Sequence, residues 1–138
     1  MLELWLNFRG LWLDGVITTA SLTVLAIFFG FFLAIPIGVV RAKSSGVLGW
    51  LALGYVNLFR GMPLLVTLFL IYYGLGQFNR ELRAIGVWWM FRDAWYCGLL
   101  ALVLNTAAYQ AEIIRGSLQT ILASVHETNA ALNLTRWT

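Results

Sequence analysis

The sequence predicts an all-α integral membrane protein with about three transmembrane helices. Of its 138 residues, 61% are hydrophobic and 11% are charged, whereas a soluble domain is about half apolar and about one quarter charged. A chain this short could not bury so much apolar surface in a soluble core, because small domains have a high ratio of surface to volume. Its long apolar segments approach the roughly 20 residues that a helix needs to cross a bilayer. Lipid is therefore the expected surrounding.

The first predicted span covers residues 16–40 and contains no charged residue. Pro36 falls near its end, where a membrane helix tolerates proline because neighbouring groups satisfy the freed carbonyl. Before it, residues 1–13 alternate apolar and polar side chains, so we expect them to form a short interfacial helix.

The second apolar segment, residues 47–78, is interrupted at Asn57, Arg60, Gly61 and Pro63. We expect an amphipathic helix along an interface, a break near Gly61 and a span over residues 63–78; one continuous kinked helix is the alternative. Residues 79–93 form a polar connector whose aromatic cluster is typical of a membrane interface.

The third predicted span covers residues 94–121 and contains polar side chains in its second half. Asn105, Tyr109 and Glu112 follow at spacings of four and three and therefore share a helical face. Arg115, three residues after Glu112, is placed to pair with it. Charged groups at membrane depth usually face a bundle interior or a water-filled path. These four residues either line a solute pathway or gate, or they have a structural role, in which the polar groups bond to neighbouring helices or Arg115 extends to the lipid headgroups. The spacing leaves both interpretations open.

Small residues predict where the helices approach one another closely, as is usual in membranes. In the third span these are Gly98, Ala101, Ala107, Ala108 and Ala111, and in the first span they are Gly15, Thr18, Thr19 and Ser21.

Several kinds of function are disfavoured by the residue types. His126 is the only histidine and Cys97 the only cysteine, so we expect no metal site. We see neither a serine–histidine–acid arrangement nor a phosphate-binding glycine loop, so the chain should not hydrolyse ATP. The basic residues do not cluster into a nucleic-acid patch. An intramembrane enzyme is disfavoured because Glu112 lacks a second catalytic group.

Four passages together resemble the permease subunits of polar amino-acid ABC importers. They are residues 41–44 (RAKS), 55–66 (YVNLFRGMPLLV), 91–97 (FRDAWYC) and 105–116 (NTAAYQAEIIRG). The passage 91–97 is most similar to the histidine, arginine and opine branch. The resemblance implies the N-terminal part of a type I importer permease domain, in a multi-pass protein of the bacterial inner membrane that is not itself an enzyme.

The resemblance also implies partners. A second, homologous permease subunit (in a homodimer or heterodimer) would complete the pathway for a basic amino acid or an opine. Two ATP-binding subunits would hold the ATP, and a periplasmic binding protein would deliver the solute. This chain would need no cofactor.

Residues 122–138 correspond to part of the loop that docks into the ATPase in this family. The matching residues are Glu127, Ala130, Ala131 and Leu132, but two alanines and a glycine of the family pattern are replaced, which we expect to weaken coupling. Family members continue with further helices, so residues 1–138 are expected to form one incomplete domain. The chain would then be a fragment, or the product of a truncated gene; in the second case it would be a membrane interaction subunit that does not transport.

Overall fold

The structure, a computed structural model, describes residues 2–43 and 46–131, with the side chains of residues 8–43 and 46–128. The described residues contain no β-strand, which confirms the all-α prediction. The α-helices are α1 (Leu2–Lys43), α2 (Val47–Gly61), α3 (Leu64–Phe69), α4 (Asn79–Ala84), α5 (Trp88–Arg92) and α6 (Ala94–Ala131). A π-helix (Leu70–Gly74) and a 3-10 helix (Leu75–Phe78) join α3 to α4.

Two described helices are long and apolar enough to cross a membrane. They are Phe8–Lys43 within α1 and Ala94–Thr128 within α6, and a third crossing is counted if the bent pair Val47–Gly61 and Leu64–Ala84 is one span. The all-α membrane fold is therefore as the sequence predicts. The individual span limits, 16–40, 63–78 and 94–121, stay predictions.

The first helix is one continuous element of 42 residues, about 63 Å long at the usual rise. The prediction of a separate interfacial helix over residues 1–13 is wrong, because residues 2–13 belong to α1. A glycine such as Gly15 costs a helix only about 1 kcal/mol, and the Thr19 hydroxyl donates a hydrogen bond to its carbonyl at 2.8 Å. Nothing in this region is strong enough to end the helix.

The second helix ends where the sequence predicts a break. Gly61 is its last residue, and Met62 and Pro63 are extended, with ψ of 139° and 137°. The following helical segment, Leu64–Ala84, is bent from α2 by 107°. Proline has no N–H with which to continue the helix, and it restricts the residue before it to extended geometry. The alternative of one continuous kinked helix is therefore wrong.

The long helices α1 and α6 pack side by side in parallel. A Cβ on Gly30 would lie 3.3 Å from the Ala107 nitrogen, and one on Gly38 would lie 2.9 Å from the Ala111 carbonyl oxygen. Ala34, one turn from each of these glycines, is fully buried. A face of small residues on α1 thus lets the two backbones approach closely.

The small residues predicted to pack are therefore only partly those that do. Ala101, Ala107, Ala108 and Ala111 are buried, as predicted. In the first span the prediction is wrong for Gly15, Thr18 and Thr19, which are exposed, whereas Ser21 is partly buried. Gly98 also faces open space. The close contact on α1 lies further along, at residues 30–38.

The end of α6 also differs from the prediction. The predicted third span ends at residue 121, but α6 continues without a break to Ala131. Residues 121–128 are all exposed. No proline or glycine follows Gly116 within α6, so nothing local stops the helix.

The connector between the π-helix and α6 folds back on itself. α4 ends in a turn at Gly86, whose φ of 76° is a left-handed conformation that favours glycine. The chain then forms α5 and reaches α6, where the Asp93 carboxylate accepts a hydrogen bond from the Trp95 N–H at 2.9 Å. This turn places α5 against the π-helix and the 3-10 helix.

Candidate functional site

Glu112 on α6 is the centre of a cluster of charged side chains. Arg41, from the last turn of α1, donates a hydrogen bond to Glu112 Oε2. Arg115 donates from Nε to Glu112 Oε1 at 2.9 Å, and its Nη2 bonds to the same oxygen. The Arg41 side chain is 11% exposed and that of Glu112 is 23% exposed. Both carboxylate oxygens are therefore engaged in a partly buried pairing, where screening by water is reduced.

The close packing of α1 and α6 brings Arg41 to Glu112. Arg41 follows Gly38 by three residues, and a Cβ on Gly38 would lie within 3 Å of Ala111 and Ile114. Residues three apart lie on nearly the same helical face, so the contact that places Gly38 against α6 also brings Arg41 to the same turn, which carries Glu112. The ion pair between Arg41 and Glu112 therefore depends on the small size of Gly38.

A third arginine reaches the cluster from the end of α2. Arg60 Nη1 lies 3.9 Å from Glu112 Oε2, and its side chain is 41% exposed. Its guanidinium carbon is 5.2 Å from the centre of the Tyr109 ring, a distance typical of a cation–π contact. Three guanidinium groups facing one carboxylate leave two positive charges in excess. The cluster therefore favours an additional anion.

Two hydrogen bonds attach the end of α2 to α6. Asn105 Nδ2 donates to the Phe59 carbonyl at 2.9 Å. In a continuous helix this carbonyl would accept from the N–H of residue 63, but residue 63 is proline and has none. The Tyr55 hydroxyl donates to the Leu104 carbonyl at 2.7 Å. Asn105 thus satisfies the carbonyl that the helix break leaves open, and it holds Arg60 near Glu112.

The four predicted pathway or gate residues lie along one side of α6, as their spacing predicts. Asn105 bonds to α2 and Glu112 to α1, as the second interpretation requires, whereas the bonds of Arg115 stay within α6. Tyr109 is 46% exposed and contacts Arg60. Whether the four also line a solute pathway or gate stays a prediction.

Sequence reasoning missed Arg41 and Arg60 as members of this site. Both belong to passages that carried the resemblance, and both end an apolar helix. An unpaired carboxylate in a predicted span is a signal to search for arginines at the ends of other spans. The sequence alone does not say which of the nine basic residues pair with this carboxylate.

The residues predicted to contact an ATPase are placed only in part. Glu127 is exposed on the last turns of α6, and Ala130 and Ala131 are the last two residues of that helix. Leu132 lies outside the described residues. The coupling role of these four residues stays a prediction.

Within the described ranges, no group of three histidine, cysteine, aspartate or glutamate side chains is placed to hold a metal ion. The cluster at Glu112 contains one carboxylate and three guanidinium groups, and their excess positive charge would repel a cation. Its chemistry is that of ion pairing and of binding anions.

Comparison with known proteins identifies the family. Residues 26–138 match the family described as the binding-protein-dependent transport system inner membrane component. The chain belongs to this family of membrane transport proteins.

Relatives with assigned functions are permeases for opines and arginine. The chain is 42% identical to the nopaline transport system permease protein NocM of Agrobacterium fabrum, over 88% of this chain and 51% of that protein. It is 40% identical to the octopine transport system permease protein OccM of Rhizobium radiobacter, over 96% of this chain and 54% of that protein. It is 36% identical to the arginine ABC transporter permease protein ArtM of Escherichia coli K12, over 90% of this chain and 56% of that protein.

A solved structure shares the fold. The crystal structure of an amino acid ABC transporter with histidines matches with a TM-score of 0.76 and 34% identity, covering 95% of this chain and 56% of that one. The resemblance to amino-acid and opine ABC permeases is therefore confirmed. The chain spans about half the length of the relatives that it matches.

Proposed function

We propose that this chain forms part of the solute pathway of an ATP-driven importer for a basic amino acid or an opine. The observation that carries the proposal is the charged cluster at Glu112, in a chain that belongs to a family of transport permeases. The cluster joins α1, α2 and α6 through side chains from each. Relatives named for nopaline, octopine and arginine support the class of solute.

The cluster has the properties of a gate. Glu112 is paired with Arg41 and Arg115, while Arg60 lies at 3.9 Å as a further partner. Exchange of one guanidinium for another keeps the carboxylate paired throughout, so the helices can shift without leaving a buried charge alone. A passing carboxylate would also find excess positive charge here.

The remaining parts of the importer follow from the family. We expect a second permease subunit, two ATP-binding subunits and a periplasmic binding protein, with this chain as a multi-pass protein of the inner membrane that does not hydrolyse ATP itself. The exposed end of α6 with Glu127 is the expected contact for the ATPase. Replacement of Glu127 by alanine should weaken co-purification of the ATP-binding subunit while the partner permease is retained; equal recovery of both would remove this role.

The direct test is uptake by vesicles that contain this chain with its neighbouring permease, ATPase and binding protein. ATP-dependent accumulation of arginine, octopine or nopaline is the expected result. If none accumulates, although the partner permease still co-purifies, the chain is an interaction subunit that does not transport.

The role of Glu112 is tested by Glu112→Gln in the same vesicles. We expect uptake to fall by about tenfold or more, because the neutral amide cannot balance the arginines that must move past it. Glu81→Gln is the matched control, since Glu81 is an exposed carboxylate on α4 outside the cluster. Membrane insertion must be equal in both variants, and unchanged uptake in Glu112→Gln would exclude it as a gate residue.

A further inference from the structure

A second polar site lies near the start of α6, away from the Glu112 cluster at the middle of this helix. An open cavity of about 400 Å³ is lined by residues of the π-helix, the 3-10 helix and α5. The start of α6 at Ala94 is 18 residues before Glu112, or about 27 Å along the helix. Four aromatic and two polar side chains form most of the cavity wall: Tyr72, Tyr73, Trp88, Phe91, Gln77 and Arg92.

Two of the aromatic side chains that line this cavity pack against buried residues. Tyr72 and Phe91 pack against the buried cluster of Ile71, Cys97 and Ala101. The rings of Tyr72 and Tyr73 lie 5.0 Å apart and nearly perpendicular. A π-helix in this position is typical of functional sites, since its wider turn redirects side chains. The aromatic surface is therefore preformed.

Arg92 is the unpaired cation of the cavity. It is exposed, and within the described ranges it forms neither a hydrogen bond nor an ion pair. No acidic side chain is among the described residues that line the cavity. The guanidinium carbon of Arg83 lies 5.5 Å from the centre of the Trp88 ring, so this part of the structure holds a second cation besides Arg92. A guanidinium with unmatched donors recognises a carboxylate, which it binds through two parallel hydrogen bonds.

The aromatic rings define the other part of the ligand. Tyrosine and tryptophan faces attract cationic groups and stack on planar ones. The cavity volume lies in the range of small-molecule sites, about 300–1,000 Å³. A solute with a carboxylate at one end and a guanidinium or another planar group at the other would fill it.

The geometry points to a second solute site, in which Arg92 holds a carboxylate and the rings of Tyr72, Tyr73 and Trp88 hold a cationic or planar side group. The naming of the solute as an amino acid or opine rests on the proposed function. The site and the Glu112 cluster then form two solute-binding positions along α6, one near its start and one near its middle, each with positive charge available to a carboxylate.

Binding is tested without transport by a cysteine at the cavity wall. Gln77→Cys in the assembled complex is labelled with a maleimide, and L-arginine, octopine and nopaline are added as probes. At least one probe should slow the labelling, and the wild type gives the background of the buried Cys97. Arg80→Cys, on α4 outside the cavity wall, should be labelled at an unchanged rate.

The role of Arg92 is tested by Arg92→Gln in the Gln77→Cys background. The concentration for half protection should rise by about tenfold, the effect expected from loss of a charge-assisted pair. L-argininamide keeps the guanidinium but lacks the carboxylate. With Arg92 intact, it should protect the cysteine only as weakly as L-arginine does in the Arg92→Gln variant. Equal protection by L-arginine and its amide in Gln77→Cys with Arg92 intact would overturn the assignment of Arg92.

Uptake separates this site from the proposed function. In transporting vesicles, Arg92→Gln should raise the half-saturating solute concentration by about tenfold at an unchanged maximal rate, and Arg80→Gln should change neither. Protection without uptake would support the site and contradict the proposed function. Uptake without protection by any probe, with Arg92→Gln equal to Arg80→Gln, would overturn the site alone. Protection by the binding protein in the absence of solute would assign the cavity to a protein contact and overturn it as well.

Discussion

The start and the middle of α6 use arginine in different ways. At Glu112, in the middle, Arg41 and Arg115 are partly buried and bond to a carboxylate. Near Ala94, Arg92 is exposed beside aromatic rings and has no such partner in the described structure. The first pair belongs to the folded architecture, whereas Arg92 is free to bind something else. The surroundings, rather than the residue type, decide which role an arginine has.

The difference arises from helix packing. Arg41 is carried to its partner by a tight contact between α1 and α6 at Gly38. Arg92 lies on a five-residue helix that leads into α6, at a point where Asp93 instead caps the helix by accepting the Trp95 N–H. A nearby carboxylate is thus used by the backbone and leaves Arg92 unpaired.

The largest effect is expected from Gly38→Val, which attacks the contact that supports the Glu112 cluster. Its side chain would meet Ile114 and the Ala111 carbonyl within 3 Å, so α1 and α6 would have to separate. We expect the free energy of unfolding, measured by SDS titration in micelles, to fall by about 3 kcal/mol. Gly15→Val, where nothing lies within 4 Å, should cause no loss; equal losses would refute the packing argument.

The next largest effect is expected from Glu112→Gln. Three guanidinium groups would remain without a carboxylate, and the free energy of unfolding should fall by about 2 kcal/mol, less than for a fully buried pair because the side chain is partly exposed. The cost of Arg41→Gln should be smaller in the Glu112→Gln background than in the wild type. Additive costs in this double-mutant cycle would show that the two residues do not interact.

Asn105→Ala tests the helix break that holds Arg60. The Phe59 carbonyl would lose its donor, and Pro63 offers no replacement, so we expect a loss of about 1.5 kcal/mol in the same titration. Tyr55→Phe removes the neighbouring hydrogen bond, but its acceptor at Leu104 also has the helical N–H of residue 108. We expect a loss of about 0.5 kcal/mol there; a larger loss for Tyr55→Phe than for Asn105→Ala would contradict this account.

The smallest effect is expected from Arg92→Gln, which should change the free energy of unfolding by no more than about 0.5 kcal/mol. Arg41→Gln in the wild type should cost more, because it leaves Glu112 with a broken pair. If the two substitutions were equally destabilising, Arg92 would be a structural residue like Arg41, and the distinction between the start and the middle of α6 would fail.

The parts of the site that lie close together in sequence were predictable. The spacing of Asn105, Tyr109 and Glu112 placed them on one side of a helix, and the short separation of Glu112 and Arg115 predicted their pairing. The Glu112 bond to Arg41 spans 71 residues. Such a contact depends on how far two helices slide and rotate against each other, which no spacing within one helix reports.

The sequence by itself determined the membrane fold, the break beside Gly61 and Pro63, and the polar side of the third span. These follow from composition, from the chemistry of proline and from the period of the α-helix, which are all local properties. Only the tertiary structure decided that Gly30 and Gly38 rather than Gly15 form the contact, and which arginines meet Glu112. These outcomes depend on the register between α1 and α6, because packing of small residues sets which side chains face each other across the two helices.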